Sequence, residues 1–163
     1  MKEILLTQGM VALVDDEDFE YLSQWKWYAD KKSQTFYAVR YTKLSRVNGK
    51  RKRIKISMHR LILNTSPTDT SDHANGNGLD NRRINLRICT DAQNNMNRGL
   101  SKSNTSGFKG VCWDKQYRMW RAQIHINKTR IRIGRFEDKE KAAIAYNEAA
   151  IKYHGEFARL NDV

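Results

Sequence analysis

The apolar residues of this chain fall mostly into short alternating runs, the pattern of half-buried strands. Ile4–Thr7 and Met10–Val14 flank Gly9 and predict a hairpin. Asp15, Asp16, Glu17 and Asp18 then supply the cap and acidic first turn of a short helix reaching Leu22. Trp25, Trp27 and Tyr28 read as core or sheet aromatics, with nucleic-acid stacking as the alternative. Tyr37, Val39 and Tyr41 alternate with Ala38 and Arg40 as a strand. Asn48-Gly49 predicts a turn, and 51–58 returns as a strand with Ile54 and Ile56 on one face. A short helix follows over 58–63.

The middle of the chain changes character. Asn75-Gly76 and Asn77-Gly78 suit the positive φ of a tight reversal, and Ile84, Leu86 and Ile88 alternate with Asn85 and Arg87 as a strand with one apolar face. Thr90 and Gln93 have capping-box spacing, so a helix is expected from Thr90, with Asn94 and Asn97 on one face. Residues 98–106 are polar, without apolar periodicity, and read as a linker. Beyond it 111–113, 120–126 and 130–136 predict three strands. Ala122, Ile124 and Ile126 face one way and Arg121, Gln123 and His125 the other; Ile131 and Ile133 oppose Arg130 and Arg132. Asp138 caps a helix to about His154, closed by Gly155, with Ala142, Ala145, Tyr146, Ala149 and Tyr153 as its sheet-facing stripe.

Charge narrows the partner. A chain of 163 residues with net charge +12 predicts an anionic partner, and nucleic acid is the first candidate. No apolar run approaches the ~20 residues of a spanning helix, and residues 1–15 make a poor secretion signal. Cys89 and Cys112 are too few and too distant for a structural zinc site or a disulfide framework. Buried thiols in a cytoplasmic protein are expected. From Arg40 to Arg60 there are nine Lys or Arg residues and no acid. A ribbon presenting Arg51, Arg53 and Lys55 opposite its isoleucines suits a phosphate backbone; a solvated edge strand is the competing reading. The acidic lead-in is expected to be solvated and to face away from DNA.

Asp72-His73 carries the candidate chemistry. A carboxylate and an amide oxygen are hard donors suited to Mg²⁺ (Mn²⁺ is the other candidate), and a histidine near pKa ~6.5 can take a proton from water. Alone, an Asp-His pair in an Asn-Gly turn reads as structural rather than catalytic. The surrounding pattern decides the matter. Asp72-His73, the Asn-Gly turn, Leu79-Asp80-Asn81-Arg82-Arg83, Asn85-Leu86-Arg87, Thr90 and Asn94 together resemble the HNH nucleases, and His59-Arg60-Leu61 extends the likeness upstream. The resemblance implies a ββα-metal unit in which Asp72 and Asn94 ligate the metal. It further implies that His73 is the general base and that Asn85 braces the histidine strand. Asn85 and Asn94 stand at the family's later histidine positions, a variant common among homing endonucleases of phages and mobile elements. Ser71 stands where relatives carry an aliphatic residue.

Gly107-Phe108-Lys109-Gly110-Val111, Trp120 to Ile124, Ile133 to Phe136 and the helix from Ala142 to Gly155 resemble the DNA-binding domain of the plant Apetala and ethylene-response factors. By matching position that likeness places Lys109, His125, Arg130 and Arg132 on a DNA-reading sheet face. Arg121 and Gln123 join them by strand parity. Arg132 replaces the family's usual tryptophan. The expected class is α+β: a mixed lead-in and HNH unit over 1–98 (core about 58–98), a linker over 99–106, and a three-stranded antiparallel sheet on one helix over 107–163. The expected function is metal-dependent cleavage of double-stranded DNA by a homing-type monomer. The alternative is a DNA-binding regulator with a degenerate HNH fold.

Overall fold

Gln8 and Gly9, at φ 82° and 73°, reverse the chain between β1 (Lys2–Leu5) and β2 (Val11–Val14), which pair antiparallel as the pattern predicts. The structure, a computed structural model, describes every residue except 33, 34, 43, 44, 48, 49, 67 and 128, and of 45–47 and 50–52 it gives the backbone alone. The fold is α+β, with four helices and several small antiparallel sheets among the described residues. The chain divides into two compact units, Met1–Thr90 and Asp91–Val163. No helix among the described residues is long and apolar enough to cross a membrane.

In the first unit α1 (Asp16–Leu22) follows β2, and β3 (Tyr28–Lys31) and β4 (Phe36–Tyr41) lead to a short hairpin of β5 (Ser45–Val47) and β6 (Lys50–Lys52). The chain continues through β7 (Lys55–Ser57), α2 (Met58–Ile62), β8 (Thr70–His73) and β9 (Leu86–Cys89). A sheet ordered β3-β4-β7 packs over a core of Ile4, Leu6, Ala12, Val14, Leu22, Trp27, Met58 and Leu86. Trp27 is fully buried and its indole N–H donates to the Leu22 carbonyl at 2.8 Å, the partner a buried indole requires. Tyr28 is exposed at the sheet surface.

Three local expectations are corrected here. The basic return is not one strand: β6 pairs with β5, β7 pairs with β4, and Arg53 and Ile54 lie between them, with Ile54 exposed. The Asn48-Gly49 turn lies outside the described residues. Ile84 and Ile88 do not share a buried face with Leu86, being 90% and 57% exposed against its 7%. A single 3₁₀ turn at Arg83–Asn85 breaks the alternation, and β9 begins only at Leu86. Nor are the acidic residues merely solvated. The Asp15 carboxylate makes no cap and accepts the Arg83 backbone N–H at 2.7 Å, while buried Asp18 takes the Arg83 guanidinium at 2.9 and 2.7 Å. Tertiary pairing there outweighs local capping.

The second unit opens with α3 (Asp91–Asn97), which starts directly after Thr90. β10 (Val111–Asp114), β11 (Met119–Ile126) and β12 (Thr129–Phe136) form an antiparallel sheet in that order, backed by α4 (Lys139–His154). Asp138 caps α4, its carboxylate accepting from the N–H groups of Glu140 and Lys141 at 2.6 and 3.0 Å. The buried stripe of α4 is Ala142, Ala143, Tyr146, Ala150 and His154; of the expected face Ala145 and Ala149 are half-buried, Ala149 packing against the core, and Tyr153 alone is exposed. His154 is drawn in because its Nε2 bonds the His125 carbonyl at 3.0 Å. Tyr146 lies so close to Gly110 (φ 76°) that a Cβ there would stand 2.1 Å from its ring.

Candidate active site

β8 and β9 pair with Asp72 opposite Arg87 and His73 opposite Leu86, and both Asp72 and His73 are buried. The Arg87 guanidinium donates to Asp72 Oδ2 from Nη2 at 2.7 Å and from Nε at 3.0 Å. The place beside this carboxylate therefore accommodates a cation. Between the strands, the loop is closed by Asn85. Its backbone carbonyl accepts the Ala74 N–H at 2.9 Å and its side-chain oxygen the Asn75 N–H at 2.9 Å, while its amide donates to the Asp80 carbonyl at 2.7 Å. Of the two Asn-Gly pairs, only Gly76 takes a positive φ, 76°. Gly78 serves close approach instead: a Cβ there would lie 2.5 Å from the Phe36 carbonyl and 2.8 Å from the Tyr37 ring.

Residues 79–83 are gripped by the N-terminal hairpin. Leu13 donates to the Leu79 carbonyl at 2.9 Å and accepts from the Asn81 N–H at 2.8 Å. This backbone pairing carries Asn81, 0% exposed, to the His73 ring. The Asn81 amide donates to Leu79 O at 3.1 Å, which fixes its orientation and turns Oδ1 towards His73 Nε2 at 3.4 Å. An amide oxygen only accepts, so Nε2 carries the proton and Nδ1 the lone pair. Burial lowers the His73 pKa from the usual histidine value against the opposing pull of Asn81, Asp72 and Asp80, which keeps the ring neutral near pH 7. Asp80 is held below the usual carboxylate range, first by its hydrogen bonds from Arg82.

Two further rings meet His73. Its centroid lies 4.9 Å from that of His59 on α2 and 5.6 Å from that of Tyr37 on β4. Burial pushes His59 down to about 3, with His73 and Arg60 acting in the same direction, and raises the Tyr37 phenol with help from the Asp72 charge. Tyr37, His59 and Asn81 were not assigned roles from sequence. His59 and Asn81 do lie inside the His-Arg-Leu and Leu-Asp-Asn-Arg-Arg runs that carry the family likeness, but nothing in their spacing puts them on one ring.

Asn94 is half-buried on α3, in the second unit, three residues from buried Asn97. Among the described residues no group of three or more His, Cys, Asp or Glu side chains could hold a metal. The Asp72 carboxylate is a hard donor of the kind used by a cation that retains most of its water, and so, in the other unit, is the Asn94 amide oxygen. Asp72 is already paired with the Arg87 guanidinium, which a metal ion at this carboxylate would have to displace.

Of the basic ribbon, the Arg51 side chain lies outside the described residues, and Arg53 is exposed. Lys55 is paired with Asp30 at 2.5 Å. In the second unit, the register sets Arg121 opposite Arg135, Gln123 opposite Arg132 and His125 opposite Arg130, with Ile133 passed over in a bulge. These polar residues share the face away from Ala122 and Ile124, which are buried. Asp114 engages Arg121 and Arg135 at 3.1 and 3.3 Å, and Arg130 lies 3.4 Å from the His125 ring nitrogen. Arg130 and Arg132 are exposed. Lys109 is turned elsewhere: its ammonium bonds the carbonyls of Met96 and Arg98, and burial lowers its pKa to about 8.

No family model matches the chain. It is similar to protein 3.8 of Escherichia phage T7, 35% identical over 89 residues that make up 55% of this chain and 73% of that protein. It is also similar to an uncharacterised HNH endonuclease of Acanthamoeba polyphaga mimivirus, 29% identical over 157 residues, 96% of this chain and 77% of that protein. The second likeness runs almost the whole length and supports an HNH-like family.

Proposed function

The chain belongs to the family of protein 3.8 of phage T7, and we propose that it is a metal-dependent DNA endonuclease of the HNH, homing type. The observation that carries this reading is a neutral, buried His73 whose Nε2 is held by Asn81 beside the buried Asp72 carboxylate. The nuclease name of the mimivirus relative agrees with it.

In this reading Asp72, with Asn94 as the second ligand that the family likeness implies, would hold Mg²⁺ or Mn²⁺. The chemistry supplied by the bound ion is polarisation of the phosphoryl oxygen and stabilisation of the leaving alkoxide. His73 accepts at Nδ1 the proton of the attacking water, and Asn81 keeps the opposite nitrogen protonated so that the lone pair stays on the reacting side. Asn85 acts on the loop rather than on substrate: it ties the residues after His73 to Asp80, so the ring is presented from a fixed backbone. Double-stranded DNA is bound by a monomer through Arg53, with Arg51 and Lys55, and through the sheet face of Arg121, Gln123, His125, Arg130 and Arg132. Lys109, bonded to two carbonyls, contributes structure first and charge second.

A DNA-binding regulator without cleavage is the second reading, favoured by the guanidinium that already occupies Asp72. Cleavage of supercoiled plasmid in Mg²⁺, abolished by a chelator, separates the two. His73→Ala should then lower the rate by about 10²–10⁴-fold while leaving DNA affinity within about twofold. Normal cutting by that variant would remove His73 as the base.

A further inference from the structure

We propose that Tyr28 and Tyr41 form a neutral aromatic surface that packs against the sugar–phosphate backbone of duplex DNA beyond the catalytic site. Its place along the DNA rests on the nuclease reading above. The register of the β3-β4-β7 sheet pairs Tyr28 with Val39, Val39 with Ser57 and Tyr41 with Lys55, so Tyr28, Tyr37 and Tyr41 lie on one face. At one end of β4 Tyr37 is half-buried, its ring 5.6 Å from that of His73. At the other end Tyr41 is 48% exposed, and on the neighbouring strand Tyr28 is 42% exposed. Neither ring joins the core of the first unit, and neither hydroxyl has a hydrogen-bond partner among the described residues.

Charge decides the occupant. Tyr41 lies at the start of a stretch, Arg40 to Arg60, that holds nine Lys or Arg residues and no acid. The chain returns beside it through exposed Arg53 into β7. The one acid that the strand register puts on this face, Asp30, is neutralised by Lys55 at 2.5 Å and Lys32 at 3.6 Å. Exposed rings set among cations fit a polyanion whose charges are spaced by apolar sugars. A tyrosine there offers its ring to the sugar and its hydroxyl to the phosphate. Tyr41 follows Tyr37 by four residues of β4, roughly 13 Å of extended chain. At ~3.4 Å per base pair the contact falls about four base pairs from the bond presented to His73.

A neutral contact is separable from a charged one by its salt dependence. Duplex affinity of the full chain can be followed by fluorescence anisotropy in a chelating buffer between ~50 and 200 mM salt, where metal-dependent cutting does not interfere. Tyr28→Ser with Tyr41→Ser should weaken binding about tenfold at every salt concentration. The slope of log K on log salt should stay unchanged, because no charge that releases counterions is lost. Tyr28→Phe with Tyr41→Phe should cost about threefold, since the rings still pack but the hydroxyls are gone. Both pairs should melt within about 2 °C of the wild-type protein, as substitutions of exposed side chains do. Arg53→Gln is the contrast, with a slope lowered by about 0.9. Wild-type affinity in the serine pair, or a slope that falls as in Arg53→Gln, would overturn the proposal. Where the serine pair melts lower, the phenylalanine pair decides, and wild-type affinity there overturns it. A wild-type protein that binds no duplex removes this surface and the DNA reading together. Binding without cleavage in Mg²⁺ removes only the nuclease reading and the four-base-pair placement, and the same titrations still decide the contact.

Discussion

Replacing Arg87 by methionine would strip a cation from the buried Asp72 carboxylate while keeping a similar stem. The two contacts, 2.7 and 3.0 Å, join side chains only 17% and 9% exposed. At 2.7 Å a unit pair interacts by roughly 6 kcal/mol at an effective dielectric of ~20. Desolvation offsets part of that, and removing one partner of a buried pair costs about 3–5 kcal/mol in practice. The residual exposure of Arg87 places the cost at the lower end, about 3 kcal/mol. For a chain of this size one kcal/mol moves Tm by ~2–4 °C, so Arg87→Met should melt roughly 6–12 °C lower by calorimetry in a chelating buffer. If Asp72 is a metal ligand, Mg²⁺ or Mn²⁺ should recover more Tm in the variant than it adds to the wild-type protein, because the ion then has no guanidinium to displace. A shift below ~2 °C in chelator would refute the argument that this pair neutralises a buried charge. Equal metal responses in the two proteins would detach Asp72 from metal binding.

The other expectations are simpler. His59, with a pKa pushed down to about 3, stays neutral in the folded protein while the unfolded chain takes up a proton near ~6.5. The unfolded state then binds more protons, so stability is full above pH ~6.5 and falls by about 1.4 kcal/mol per unit as pH drops, with His73 acting in the same direction. Urea midpoints between pH 7 and 5 should show that slope, and His59→Phe should flatten it. Asn85→Ala leaves the Asn75 N–H and the Asp80 carbonyl without their side-chain partner, and denaturant melts should show a loss of about 2 kcal/mol. Gly110→Ala forces a Cβ to 2.1 Å from the Tyr146 ring at φ 76°; a loss of at least ~2 kcal/mol is expected, and a silent substitution would show that Tyr146 can retreat.

The sequence alone determined the α+β class and the elements whose signals are local. The hairpin around Gly9, the helix end at Gly155, the Asp138 cap and the three strands of the second sheet each depend on a few neighbouring residues, and all appear where expected. The Asp72-His73 pair and its Asn-Gly turn were legible for the same reason. What the chain could not announce was the company His73 keeps. Tyr37, His59 and Asn81 lie 36, 14 and 8 positions away, and they meet only because β4, α2 and the pairing of Leu13 with 79–81 fold onto one ring. Arg83 likewise reads as a loop cation until Asp15 and Asp18, 68 and 65 residues earlier, are brought beside it. That ion pairing fixes the turn at Arg83–Asn85 and leaves Ile84 in solvent against its hydropathy. Periodicity reports which face of an isolated element is apolar. Burying charges in partnered sites is a property of the assembled unit, and at Arg83 and Asp72 it outweighed the local pattern.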